Sequence, residues 1–239
     1  MNRTARVSLK VWGDYACFSR PEFKVERVSY PVMTPSAARG LLEAVFWKPE
    51  FRYQIREIGV VRLGSQMTIL RNELSDIQRG NAVWVEDQRQ QRFSLILKEV
   101  AYLIRADIVL KPHVENNAVY KYRDQFRRAV ERGQCHHTPY LGTREFAAFF
   151  ALPDGEEQVQ PLDMDLGPML FDIAFVEDPR RPELQFMKHG PDGARVVCGY
   201  AQALFFNARL ERGWMKVPPE KYAELYALEG EESGAERTG

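Results

Sequence analysis

The chain has 239 residues, 45% of them hydrophobic, enough to bury the core of one large domain or two small ones. Its 33 basic and 33 acidic residues cancel, so it lacks the overall basic excess of many nucleic-acid binders, and only the placement of charge can support such a role. No stretch approaches the ~20 apolar residues of a membrane helix, the opening MNRTARVSLKVWGDY lacks a signal-peptide run, and three scattered cysteines (Cys17, Cys135, Cys198) argue for reduced thiols in the cytosol rather than disulfides.

Residues 6–12 alternate apolar and polar, as a half-buried strand does. Thr34-Pro35-Ser36 then opens a helix, with threonine as cap and proline in the first turn. That helix is expected to run to Lys48-Pro49, with Ala38, Leu41, Leu42 and Val45 on one face. Residues 51–63 read as a strand or strand pair, and 71–93 as a polar, irregular insertion. The β-rich stretch 95–110 predicts a long strand. Asn116-Asn117 can cap a second helix that Gly133 ends, with Val119, Tyr122, Phe126, Ala129 and Val130 as its apolar stripe. Residues 140–152 give a turn and another strand.

This order of strand, helix, strands, helix, strand over residues 1–152 is the split βαβ pattern of a ferredoxin-like, RRM-like domain. After an acidic connector at 153–161 come short apolar runs near Met169–Val176, Leu184–Met187 and Arg195–Cys198, with a turn at Pro191-Asp192-Gly193. These predict a smaller antiparallel β domain over 153–228, making the fold class α+β. Residues 229–239 have almost no apolar content and are expected to be disordered. There is no internal repeat.

The bases are unevenly spread. Arg39, Lys48, Arg52, Arg56, Arg62 and Arg71 lie in the first third, and Lys121, Arg123, Arg127, Arg128 and Arg132 crowd the second helix. Acids concentrate in 154–183 and in the tail, so the N-terminal half is expected to carry a basic face. The alternative is that these bases merely solvate helix surfaces.

Four strings are together specific: VWGDYACFSRPEFKVERVSYPV at 11–32, TPSAARGLLEAVFWKP at 34–49, KYRDQFRRAVERGQCHHTPYLGTREF at 121–146, and the strand at 169–176. With them the chain resembles the CRISPR-associated family-five subunit of type I-C systems, over most of residues 7–210 and least in 71–93. The resemblance implies an RNA-binding ferredoxin-like domain with a C-terminal β domain. It implies binding to CRISPR repeat RNA at the repeat-derived end of the guide RNA. It also implies assembly into the Cascade complex beside the backbone and large subunits. The isolated chain is expected to be a cytoplasmic monomer. In this subtype the subunit generally also cuts precursor guide RNA without metal or cofactor, a 2′-hydroxyl attacking the adjacent phosphate.

Such cleavage needs a group to take the 2′-hydroxyl proton, one to protonate the departing 5′-oxygen, and a cation at phosphorus. The family's Lys-His pair at the start of the second helix corresponds here to Lys121 and Tyr122, and its Tyr or His late in the first helix to Phe46. Lys121 can stabilise the phosphorane or simply solvate the helix. Tyr122 can donate a proton at the cut site, but it also lies on the apolar stripe. Phe46 can stack or pack but exchanges no proton, and Tyr120 could supply the missing hydroxyl.

The Cys135-His136-His137 run has no partner pair for zinc, so no metal site is expected. His137 can act as acid or base if its loop faces RNA. Candidate RNA contacts are Arg39, Phe46, Lys48, Arg123, Arg127 and Arg128, with Gly142 approaching phosphate or making a plain turn, and Arg144 beside it. Trp12, Tyr15 and Phe18 either pack in the core or stack bases. Two rival readings stay open: a non-catalytic RNA-binding subunit, and an unrelated two-domain enzyme taking a small anionic substrate.

Overall fold

The alternation at the N-terminus makes one strand, β1, Thr4–Ala16, whose Val7, Leu9 and Val11 point into the core. The computed structural model describes residues 3–23, 25–74, 89–114 and 118–230. After the short strand β2, Arg27–Val28, comes helix α1, Pro35–Val45. The Thr34 hydroxyl accepts from the Ala37 amide at 3.2 Å, and Ala38, Leu41, Leu42 and Val45 are buried. The helix stops at Phe46, short of Lys48-Pro49. Phe46 is already extended, with its carbonyl taken by the Tyr53 hydroxyl at 2.7 Å.

Strands β3, Phe51–Arg62, and β4, Ser65–Leu74, follow, and both pair with the 22-residue β5, Arg89–Leu110. Between the β3–β5 and β4–β5 pairings, Gly64 (φ +76°) and Glu99 (φ +58°) both take left-handed backbone. A side chain at 64 would meet the Lys98 carbonyl, so glycine is required there. The irregular reading of 71–93 is corrected at its two ends, since 71–74 and 89–93 are paired strand. Their polarity suits a ribbon exposed on both faces, where no apolar alternation is needed, and Arg71 and Arg92 flank Glu73 at 3.7 Å each. Residues 75–88 lie outside the described residues.

Helix α2, Ala118–Glu131, buries Val119, Tyr122, Phe126 and Val130. It ends at Gly133 (φ +62°), where the Gly133 and Gln134 amides donate to the Val130 and Ala129 carbonyls. The expected Asn116-Asn117 cap lies outside the described residues. Strand β6 is only Phe149–Ala151. The C-terminal third forms β7 (Met164–Glu177), β8 (Leu184–Gly190), β9 (Gly193–Glu211) and β10 (Trp214–Lys216). A third helix, α3, Glu220–Leu228, goes beyond the expected β unit; it buries Tyr222 and Leu225.

Among the described residues the strands make one ten-stranded sheet, seven of them in the order β6-β1-β5-β3-β10-β9-β7, with β2 and β4 also paired to β5 and β8 to β9. All pairs are antiparallel except β2 with β5. The fold is therefore α+β and mainly antiparallel. Helix α2 packs on β1 and β5, α1 on β3 and β7, and α3 on β7. One apolar core runs from β1 through Phe171 and Phe206 to Leu225.

The connector is tied to the sheet. Glu157 pairs with Lys10 at 3.1 Å, and the Gln160 amide donates to the Val60 carbonyl at 2.8 Å. The end of the chain also differs from expectation, because Glu229 is anchored. Its carboxylate pairs with Arg52 at 3.1 Å and accepts from the Phe175 amide at 3.2 Å. Residues 231–239 lie outside the described residues.

Candidate nucleic-acid interface

Helical spacing divides the outer face of α2 into two stripes. In the first, Tyr120, Arg123, Arg127 and Glu131 follow one another, and their charges are mostly answered. Arg123 lies 5.1 Å from the Tyr120 ring and pairs with Asp124 at 2.8 Å, while Arg127 pairs with Glu131 at 2.8 Å. In the second, Lys121, Arg128 and Arg132 are exposed, and among the described residues none has an ion pair. This second stripe holds the positive charge that a polyanion can use.

Tyr122 points the other way. Its ring lies 5.1 Å from Phe51, which stacks on Phe46 at 5.8 Å. It is 9% exposed, and burial together with the nearby Glu50 charge pushes its phenol above the usual tyrosine range. Lys121 and Tyr122 are thus not brought to one surface. Phe46 is half-buried in the same aromatic stack.

Arg39 is also turned inward. Its guanidinium makes a bidentate pair with Asp172 of β7 at 2.7 and 2.8 Å and reaches both Glu43 oxygens at 2.8 and 2.9 Å. Two carboxylates therefore take the donors a phosphate would need, and this group joins α1 to the C-terminal third. Lys48 and Arg144 are exposed, with no ion pair among the described residues. Gly142 (φ +87°) makes a tight turn, where a side chain would collide with the Cys17 carbonyl while the Leu141 carbonyl accepts from the Cys17 amide. Phe18 is buried, whereas Trp12 stacks on exposed Phe149 at 6.0 Å and Tyr15 meets Phe146 at 5.9 Å.

The loop after α2 folds back onto the end of α1. The His136 and His137 amides donate to the Ala44 carbonyl at 2.8 and 3.0 Å, satisfying a helix C-terminus. The exposed His136 ring stacks on Trp47 at 6.4 Å and lies 4.2 Å from His137. From β8, His189 meets the same indole at 5.3 Å. In the sequence His189 looks like an ordinary loop residue, and no spacing signal links it to a tryptophan 142 positions earlier (189 − 47). Among the described residues, no three His, Cys, Asp or Glu side chains are grouped to hold a metal ion.

A mainly antiparallel sheet packed against three helices, with a basic stripe on α2 that has no ion pair among the described residues, defines an α+β protein with a surface to which a polyanion could bind. Residues 7–218 match the CRISPR-associated protein (Cas_Cas5) family in its Cas5d form, and the chain belongs to that family, as its type I-C subunit. It is 62% identical over 232 residues to a Thermus thermophilus protein named CRISPR pre-crRNA endoribonuclease Cas5d, spanning 97% of this chain and 100% of that one. A Mannheimia succiniciproducens protein of the same name is 39% identical over 90% of this chain and 95% of its own. The crystal structure of a CRISPR-associated protein superposes with a TM-score of 0.61 at 21% identity, covering 92% of this chain and 95% of that one, which supports the fold.

Proposed function

We propose that this chain binds the repeat-derived end of CRISPR guide RNA within a Cascade complex and cleaves the precursor RNA. The observation that carries the reading is the 62% identity, along nearly the whole chain, to a protein named a pre-crRNA endoribonuclease. We read residues 1–152 as a ferredoxin-like RNA-binding unit, on the strand order β6-β1-β5-β3 with α1 and α2 packed against it. Residues 153–228 form the attached β unit, closed by α3. The backbone and large Cascade subunits are its partners, the isolated chain is a monomer, and it acts in the cytoplasm.

Cleavage proceeds without a metal ion: the 2′-oxygen attacks phosphorus, the bond to the 5′-oxygen breaks, and a cyclic phosphate and a 5′-hydroxyl result. Lys121, exposed at the first turn of α2, stabilises the charge on the phosphorane, with Tyr120 beside it. Arg128, Lys48 and Arg144 hold the phosphates on either side. A second reading, RNA binding without cleavage, is favoured by one observation: Phe46 and Tyr122 lie in an aromatic stack rather than on the surface. Purified protein incubated with its cognate repeat RNA in EDTA separates the two. Cut RNA supports the first reading, and bound but intact RNA supports the second.

A further inference from the structure

Aromatic side chains carry a wide apolar surface, and leaving several of them in water at one place needs a reason. Trp12 (37% exposed), Tyr15 (38%) and Phe149 (57%) stand outside the apolar core at one edge of the sheet. They are paired rather than scattered. The Trp12 ring lies against Phe149 at 6.0 Å with the planes 24° apart, and the Tyr15 ring meets half-buried Phe146 at 5.9 Å. Each pair joins β1 to the stretch 146–149, which runs into β6, the last strand of the sheet on that side. Along β1 the two pairs are three residues apart (15 − 12), about 10 Å of extended chain.

Cations frame the two pairs. Arg144, exposed and with no ion pair among the described residues, precedes Phe146 by two positions (146 − 144). Lys98 is the direct β5 partner of Tyr15. Arg62, also exposed and without an ion pair among the described residues, pairs with Ala101, which is in turn the β5 partner of Trp12. Asp14 and Glu99 are exposed on the same stretch and offset part of this charge, so attraction for a polyanion does not by itself account for the exposed rings.

We infer that the Trp12–Phe149 and Tyr15–Phe146 pairs form a stacking platform for unpaired nucleotides of the RNA whose phosphates Arg144 holds. The inference rests on the RNA-binding reading and adds to it a surface that contacts bases. Every nucleobase has a π-face, so exposed flat rings hold bases with little regard to sequence. A base stacked inside a duplex offers no such face, which limits the ligand to single-stranded segments. Two residues of chain span at most about 7 Å, so a nucleotide whose phosphate meets Arg144 has its base within reach of the Tyr15–Phe146 pair. The Trp12–Phe149 pair then takes a following base of the same strand.

The test is filter binding of the cognate repeat RNA, across a salt series, by wild type, Trp12→Phe and the double variant Trp12→Leu/Phe149→Leu. Leucine keeps the apolar character and removes the flat ring, whereas phenylalanine keeps a ring. The double variant should lose about 5–150-fold in affinity, the loss of stacking on one base, with its thermal melt unchanged. Trp12→Phe should stay within a few-fold of wild type. Because no charge is removed, the log–log slope of affinity against salt should match wild type in both variants. A fully paired RNA duplex should bind all three proteins alike. Wild-type affinity in the double variant, or an equal loss on the duplex, overturns the inference and leaves the RNA-binding reading standing. If a double variant of wild-type RNA affinity no longer joins the other Cascade subunits, the edge is a protein interface instead. A loss equal in both variants and accompanied by a lower melt also overturns the inference, since the rings are then structural. A wild type that binds no repeat RNA takes both down.

Discussion

Arg39 shows how a charge legible in sequence can be misassigned. As a base on an amphipathic helix it looks available to RNA, but its partner Asp172 lies 133 residues away, and no local pattern announces that pairing. Asp172 is 3% exposed, so removing it leaves a part-buried guanidinium with Glu43 in place of two carboxylates. Asp172→Ala should cost about 3–5 kcal/mol in chemical denaturation, whereas replacing the pair together as Arg39→Met/Asp172→Leu should recover much of that loss. Equal stability of wild type and Asp172→Ala would show that the pair does not join α1 to β7. The opposite environments of Lys121 and Tyr122 are half-legible. The stripe Val119, Tyr122, Phe126 and Val130 marks the buried side, but the Glu50 charge that acts on Tyr122 does not follow from periodicity.

At the scale of elements, α2 and its C-terminal end are readable because propensity, stripe and glycine stop agree, and packing buries the same face. What sequence cannot sort is which of its bases are already paired. Because Glu131 holds Arg127 and Arg128 has no ion pair among the described residues, Arg128→Ala should weaken repeat-RNA binding more than Arg127→Ala. The Arg128→Ala variant should also flatten the dependence of affinity on salt by about one unit of log–log slope, with the melt unchanged. Filter binding across a salt series checks this, and equal affinities would remove the second stripe from the interface.

The connector is legible as acidic but not as anchored. Burial alone would raise the Glu157 carboxyl, but the Asp154 and Gly155 amides and the Lys10 ammonium outweigh it and hold the group at about 2. Its stabilising contribution is therefore full above the ordinary carboxylate range and is lost as pH falls from about 4.3 toward the folded value. Glu157→Gln should lower the melting temperature at pH 7 by a few degrees, and the gap should close as pH approaches 2. A constant gap across that range would contradict the assignment.

For the whole molecule, the alternation of β1 and the two-helix order are enough to anticipate the α+β class, while the single sheet is not foreseeable. Its continuity depends on three-residue β10, which pairs β3 to β9 through Met215. So short a strand gives no periodic signal. Helix α3 carries a weak one, Tyr222, Leu225 and Tyr226 at helical spacing after Pro218-Pro219, easily lost inside a β-rich third. Glu229 is tied to Arg52 and β7, so the anchored part of the chain runs past Leu228, further than composition suggests. A chain ending at Gly230 should melt as the full chain does. One ending at Leu228 should lose about 1–3 kcal/mol, and matching melts would return Glu229 to the tail.

The account centres on a polyanion surface whose exposed first-turn lysine acts in the transition state. The most direct measurement is single-turnover cleavage of the cognate repeat RNA in EDTA by wild type and Lys121→Ala, with RNA affinity measured in parallel. The account predicts metal-free cleavage by wild type and a large fall in rate for Lys121→Ala, with affinity falling far less, because a charge used at phosphorus in the transition state affects rate more than binding. Full activity of Lys121→Ala, or a wild type that cuts only when magnesium is added, would contradict it.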